Sequence, residues 1–454
     1  MAKRPASGTK KRKGNPVFQK IHHNAAGIDA HSDFHWVALP EGRAEQTVRK
    51  FSTSTSGLYA LADWLVENGV TSVAVEATGV YCVPLLEVLD ARGIEILLAK
   101  PTSLKWVNDR RKTDMLDCQW IQTLHMFGLL RASYRPTQLV ATFRVYARQR
   151  RMLIESTSSS IEHMKKALIQ MNVRVDKAVS DVTGVTGMAI IRAIVAGERD
   201  PSRLAALRND GCKKTEAEIE EALHGKFADE HLFELNQALR TFDHYQILIA
   251  ECSAQLESHA GVFEKKASRT TLPPVRRREH VRKNVLPFDA RELFYEMLGQ
   301  DLTQIDGIGV GTVASFIAEV GTTVDAFPTD KNFTSWLRVS PGSNSSGGKN
   351  RSGRNHKTAN RLATALRIAA QALEKSNSAL GSFYRRLKRR HGPEKAINAT
   401  ANKLARMIYA TVKYQRLYVD PGPDYYTLKI QHKILKNMEK TALRLGYTLV
   451  KTAA

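Results

Sequence analysis

The sequence predicts an α/β N-terminal domain, a middle built on long coiled-coil helices, and a mainly helical C-terminal domain. Three observations lead there. Between residues 24 and 99, short apolar runs first follow one another directly and then alternate with helical stripes. Leu235, Ala238, Phe242, Tyr245, Ile249, Cys252 and Leu256 alternate steps of three and four, the spacing of a coiled-coil seam. Beyond residue 286 the apolar residues recur at helical intervals, best in Leu362, Leu366, Ala369 and Leu373.

The bulk numbers narrow the function. A chain of 454 residues, 43% of them apolar, is long enough for two to four domains with real cores. Lys and Arg number 68 against 45 Asp and Glu, a formal charge of +23, which favours a polyanionic partner, most simply nucleic acid. No apolar run reaches transmembrane length and no signal-peptide pattern is present, so a membrane is excluded as the partner and a cytoplasmic protein is expected. Cys82, Cys118, Cys212 and Cys252 are scattered without a CxxC pair, which fits reduced thiols and argues against zinc.

Residues 1–20 mix Lys and Arg with Gly, Ser and Pro and read as a disordered basic arm. In the next domain, 21–132, strands are expected at Ala25–Asp29, Phe34–Leu39 and Glu45–Phe51. A helix with Leu58, Leu61 and Leu65 buried follows and ends at Gly69. Val70–Val75 is apolar throughout, as in a central strand covered on both faces, and Glu76 follows it. A helix bearing Leu85, Val88 and Leu89 leads to a fifth strand, Glu95–Ala99. After Pro101 comes Lys112-Thr113-Asp114-Met115-Leu116-Asp117, in which Asp114 and Asp117 share one helical face. Three strands in a meander, then strands alternating with helices, is the order of the RNase H-like fold.

That layout gathers four acids. Asp29 ends the first strand, Glu76 ends the fourth, and Asp114 and Asp117 ride a helix beside the sheet; ligands collect at the carboxyl ends of strands in such sheets. Taken singly, Asp29 can be a turn-former, Glu76 a helix-start acid, and the acidic pair a solvated surface turn. Together, in a basic chain, they fit a site for two Mg²⁺ ions about 4 Å apart acting on phosphodiesters. Arg110, Arg111 and Lys112 flank it.

The middle region, 133–285, opens with a long helix over 137–171 carrying Leu139, Phe143, Tyr146, Leu153, Met164 and Met171 on its apolar stripe. Arg144, Arg148 and Arg151 lie together on another face, as either a solvated face or a phosphate-tracking stripe. The basic, Pro-containing stretch 264–285 reads as a linker. Two glycine turns, one at Gly184 and one at Ile305-Asp306-Gly307-Ile308-Gly309, each precede an apolar helix, as in half of a helix-hairpin-helix unit. At Gly184 a simple tight turn is favoured; at Gly307 and Gly309, DNA contact stands level with it. The C-terminal domain, 286–420, also holds the stretch from Pro341 to Arg354. It reads as a flexible Gly/Ser loop, or as a mobile loop carrying a nucleophilic serine with Lys349, Arg351 and Arg354 to hold phosphate; a P-loop fails on spacing. Residues 421–454 form a basic helical extension.

Gly27-Ile28-Asp29, Val75-Glu76-Ala77-Thr78-Gly79, the Asp114/Asp117 segment, Gly307-Ile308-Gly309 and the Pro341, Ser346-Gly347, Gly353 series occur in one order. In that order the chain resembles the DEDD-type transposases of bacterial insertion sequences, the one-ten family of bridge-RNA-guided recombinases. The likeness covers roughly 24–130 and 300–415. It implies a RuvC-like domain, a coiled-coil middle and a C-terminal transposase domain. It further implies metal-binding roles for Asp29, Glu76, Asp114 and Asp117, and Ser346, which directly precedes Gly347, as the nucleophile that links to DNA. Mg²⁺, a structured guide RNA, DNA ends and target, a homo-oligomer of two or four chains and a nucleoid-associated bacterial location follow from the same likeness. The rival readings are a metal-dependent junction-resolving endonuclease using the acids alone, a non-catalytic nucleic-acid-binding protein, and, last, a sugar-kinase-like ATPase.

Overall fold

The computed structural model describes residues 19–76, 79–100, 113–267, 272–274, 284–340, 342–346, 349–353 and 360–450. The chain divides into two compact units, Met1–Arg135 and Pro136–Ala454.

The first unit is a mixed five-stranded sheet with helices on both faces. Its strands are β1 (Ala25–Ala30), β2 (Phe34–Ala38), β3 (Val48–Ser52), β4 (Ser72–Glu76) and β5 (Glu95–Ala99), in the order β3-β2-β1-β4-β5. The first three pair antiparallel, whereas β1, β4 and β5 run parallel. The five expected strands are all present, with β3 starting three residues later than the apolar pattern implied and β4 running to Glu76.

Side-chain alternation assigns the layers. Ala26, Ile28 and Ala30 of β1, with Val73 and Val75 of β4, face one core. There Leu58, Leu61 and Leu65 of α1 (Thr55–Glu67) meet Leu85 and Leu89 of α2 (Val83–Ala91). The other face is lined by small residues. Ala74 packs there against Ile121 and Leu124 of α3 (Asp114–Met126). Ser72 Oγ meets His125 Nε2 at 2.7 Å, and Gln122 Nε2 donates to Ala25 O at 3.2 Å.

In the second unit, α4 (Gln138–Gln170) and α9 (Asp229–Ala260) lie side by side, so the long helices pair within the chain. Of the expected seam, Leu235, Ala238, Ile249 and Leu256 are buried while Phe242, Tyr245 and Cys252 are half-buried. Four short helices fill the excursion between them: α5 (Val175–Ala178), α6 (Val185–Val195), α7 (Pro201–Ala205) and α8 (Glu216–Leu223). Ile190, Ile191, Leu204 and Ile219 join Met164 and Leu168 of α4 and Leu235 and Leu239 of α9 in one core. After α10 (Ala290–Leu298) come α11 (Val310–Val320), α12 (Asp330–Trp336), α13 (Arg361–Ala372), α14 (Ala379–His391), α15 (Pro393–Tyr414) and α16 (Tyr425–Arg444). Leu362, Leu366, Ala369 and Leu373 are all buried, as their spacing predicts.

The stretch expected to be a flexible Gly/Ser loop instead pairs. β6 (Gly342–Ser346) and β7 (Lys349–Gly353) form an antiparallel ribbon in which Ser346 stands opposite Lys349. Main-chain pairing needs no apolar side chains, and a two-residue Gly-Gly connection is among those that hairpins favour. Gly347 and Gly348 themselves lie outside the described residues.

His35 on β2 and His125 on α3 are each 1% exposed, and burial holds both imidazoles down to about 4. The neighbouring His31 and His22 add to the effect on His35 and His125 respectively. Between about pH 6.5 and about pH 4 the unfolded chain therefore binds protons that the native chain refuses, so stability falls as pH falls through that window. Each histidine should cost up to about 1.4 kcal/mol per pH unit below its unfolded value. The melting temperature is expected to drop steadily from pH 6.5 to 5, with a shallower slope in His125→Gln; the same slope in that variant would contradict the assignment.

Candidate functional site

The site is assembled by β1, β4 and α3. Asp29 lies on the α3 side of β1 by alternation from Ala25 and Gly27, and is 5% exposed. Ile28 pairs with Val75 across the parallel β1–β4 ladder, so the next position on each strand holds Asp29 and Glu76 side by side. α3 begins at Asp114 itself. Thr113 caps it, accepting from Leu116 N at 3.4 Å, and Asp114 and Asp117 occupy its first turn, where the helix dipole favours negative charge.

The register between helix and strand is set by Gly27. A Cβ there would stand 2.2 Å from Gln122 N and 2.3 Å from Cys118 O, both main-chain atoms of α3. Only glycine lets the helix lie this close. The closeness carries the α3 N-terminus to the carboxyl end of β1.

Asp29 and Asp114 meet there around a residue that sequence reasoning missed. His31 Nε2 is 3.0 Å from Asp29 Oδ2 and 3.6 Å from Asp114 Oδ1. One donor atom from each of Asp29, His31 and Asp114 falls within 4.8 Å of the others. Burial pushes the Asp29 carboxyl above its ordinary value. The His31 hydrogen bond and charge pull it back, and the charges of Asp117 and then Asp114 push it up again. Asp117 is thus close enough to act on Asp29 through its charge. The Cys118 thiol beneath is pushed to about 12, by burial first and by Asp29 next. Carboxylates crowded in this way, with an imidazole, are the donor set that a divalent cation takes.

The comparisons with known families agree with this geometry. Residues 26–173 match the model of the DEDD transposases of the IS110 type, and residues 299–385 match the Transposase IS116/IS110/IS902 family. The chain belongs to this transposase family. No curated protein matches it. It is therefore a DNA transposase, an enzyme whose substrate is DNA, and its mixed sheet is consistent with an RNase H-like transposase domain. The DEDD type points to divalent-metal use, and the Asp29, His31 and Asp114 cluster fits such an ion. Among the described residues no helix is long and apolar enough to cross a membrane.

The other expected site residues of this transposase fall in different places. Arg110, Arg111, Lys112 and Arg354 lie outside the described residues. Lys349 and Arg351 are on β7, and Ser346 ends β6. Gly307 takes a left-handed φ of +88°, and a Cβ there would meet Ala369 O at 3.0 Å, so this turn also seats α11 against α13. Gly309 caps α11 without a side-chain bond, and a Cβ on it would meet nothing within 4 Å.

Two arginines of the α4 stripe, Arg144 and Arg148, are engaged by α11, while Arg151 lies in an exposed pair on its own helix. Arg144 donates to Ala318 O at 2.7 Å and to Glu319 O at 3.1 Å, main-chain acceptors at the C-terminal end of α11. Arg148 forks onto the buried Glu319 carboxylate, at 3.0 and 2.9 Å. Arg151 pairs with Glu155 one turn along, at 2.9 Å. The buried carboxylate needs a cationic partner, and the fork of Arg148 supplies it. No feature of the α4 sequence marks this, because the partner lies more than 170 positions away.

His31 did leave a trace. It stands two positions after Asp29, which on a strand places it on the same face. The Gly27 contact supplies the test of the assembly. Gly27→Ala should destabilise the protein by about 1–3 kcal/mol, lower the melting temperature and speed hydrogen exchange at the first amides of α3. Unchanged melting and exchange would show that the close approach is not needed.

Proposed function

We propose that this transposase excises and integrates its element using the four acids Asp29, Glu76, Asp114 and Asp117 and a nucleophilic serine, Ser346. The observation that carries the reading is the convergence of Asp29 and Asp114 on His31 at the carboxyl end of β1. Mg²⁺ is the ion proposed. When bound, a divalent ion supplies Lewis-acid stabilisation to a phosphodiester and makes an oxygen nucleophile easier to deprotonate.

The chain's own groups do the rest. The α3 helix holds Asp114 and Asp117 in fixed register, and β1 and β4 hold Asp29 and Glu76 beside each other. Ser346 is poorly nucleophilic until its proton is removed. Its oxygen then attacks phosphorus, the phosphodiester becomes a phosphoserine ester, and the leaving strand takes a proton as its freed hydroxyl. Rejoining reverses this with the hydroxyl of another strand, which conserves the bond energy. In the sequence, Lys349, Arg351 and Arg354 follow Ser346, and Arg110, Arg111 and Lys112 precede Asp114; these residues are proposed to supply positive charge for phosphates. The uncapped N-terminus of α11 after Gly309 offers further N–H donors.

The wider reading follows the family. The first unit is taken as RuvC-like and the paired α4 and α9 as a coiled coil. The C-terminal transposase domain begins near 286, a structured guide RNA selects donor and target DNA, and the active form is a homo-oligomer. The excess of 68 basic over 45 acidic residues supports a large nucleic-acid partner.

Covalent trapping tests this. The full chain with its co-purified RNA, labelled element-end DNA and Mg²⁺ is denatured and examined for DNA-linked protein. The linked band is expected in the wild type and is expected to fall by more than about a hundredfold in Ser346→Ala, with DNA binding retained. A band that persists in Ser346→Ala removes this serine from the mechanism. Mg²⁺-dependent cuts without any band favour the junction-resolving nuclease.

A further inference from the structure

We infer that His31 is a nitrogen ligand of the metal site, so that the site prefers an ion that accepts imidazole, with Mn²⁺ favoured over Mg²⁺ relative to an all-oxygen site. The inference rests on the metal-site reading above and adds a residue and an ion preference to it.

The geometry is compatible with coordination. Ligands at about 2.1 Å from an octahedral ion have neighbouring donors about 3.0 Å apart. His31 Nε2 stands 3.0 Å from Asp29 Oδ2, a separation that suits that edge as well as a hydrogen bond, and 3.6 Å from Asp114 Oδ1, which would have to close by about half an ångström. The same ring nitrogen therefore faces both carboxylates. The ring is also held in place. It packs against Phe34 at 5.4 Å between centroids, and His31 N donates to Phe34 O at 3.1 Å, so the β1–β2 turn fixes where the imidazole points. The side chain remains 38% exposed, leaving room for an ion to enter.

The plain alternative is a histidine that only orients Asp29 through a hydrogen bond. Carboxylate and water sites suit Mg²⁺ and Mn²⁺ alike, whereas imidazole suits the transition metal better. A merely orienting histidine would leave no nitrogen in the coordination sphere, and that difference is measurable.

The test is pulsed electron paramagnetic resonance on the full-length protein loaded with Mn²⁺, without DNA. A ¹⁴N coupling from a directly bound imidazole is expected. It should vanish in His31→Gln, which keeps a hydrogen-bond donor, while Mn²⁺ affinity falls about tenfold or more and Mg²⁺ affinity falls less. Labelling histidine with ¹⁵N in the wild type should convert the coupling without any substitution, so the result does not depend on how the variant folds. Mn²⁺ bound through Asp29 with no nitrogen coupling overturns the inference and leaves the carboxylate site standing. No Mn²⁺ bound in the wild type, or binding unchanged in Asp29→Asn, overturns the metal-site reading itself.

Discussion

The main chain of α3 rests against β1 where Gly27 has no side chain, and the functional site depends on that contact. Cys118 O and Gln122 N occupy the space that any larger residue would need. Around it the sheet keeps small residues on the same face, Ala25 on β1 and Ser72 and Ala74 on β4. His125, bonded to Ser72, and Gln122, bonded to Ala25 O, pin the helix along its length. The reward for this tight layer is positional. The first turn of α3, with Asp114 and Asp117, arrives at the carboxyl ends of β1 and β4, which carry Asp29 and Glu76.

Such an arrangement is electrostatically uncomfortable by itself. Like charges near one another and burial both disfavour ionised carboxylates, and Asp29 shows the effect in its raised proton affinity. The protein relieves part of the strain with its own parts, the α3 dipole under Asp114 and Asp117 and the imidazole of His31 between Asp29 and Asp114. A carboxylate and imidazole cluster of this kind is chemically suited to a divalent cation, in keeping with the DEDD type of the family. In the second unit the same rule is met differently. There a buried acid, Glu319, is satisfied internally by Arg148, and no ligand is called for.

The contrast explains what was legible in the sequence. The strands and the shared face of Asp114 and Asp117 were readable because each is encoded locally, by apolar runs and by the three-residue step from Asp114 to Asp117. The buried stripe of α13 was readable for the same reason. What escaped was non-local. Arg144 and Arg148 read as either a solvated face or a phosphate-tracking stripe because their partners on α11 are distant in the chain. The ribbon of β6 and β7 looked like a loose loop because strand pairing there owes nothing to apolar alternation. His31 was visible in principle through its two-residue step from Asp29, but nothing local shows that Asp114 lies on its other side.

The most direct test of the assembled site is a crystal of the full chain soaked in Mn²⁺, with anomalous scattering used to locate the ions. The account expects a peak within bonding distance of Asp29 and Asp114 at the carboxyl end of β1, with Glu76 and Asp117 coordinating it or an adjacent ion. Peaks confined to other parts of the molecule, or an Asp29 carboxylate turned away from the α3 N-terminus, would contradict it.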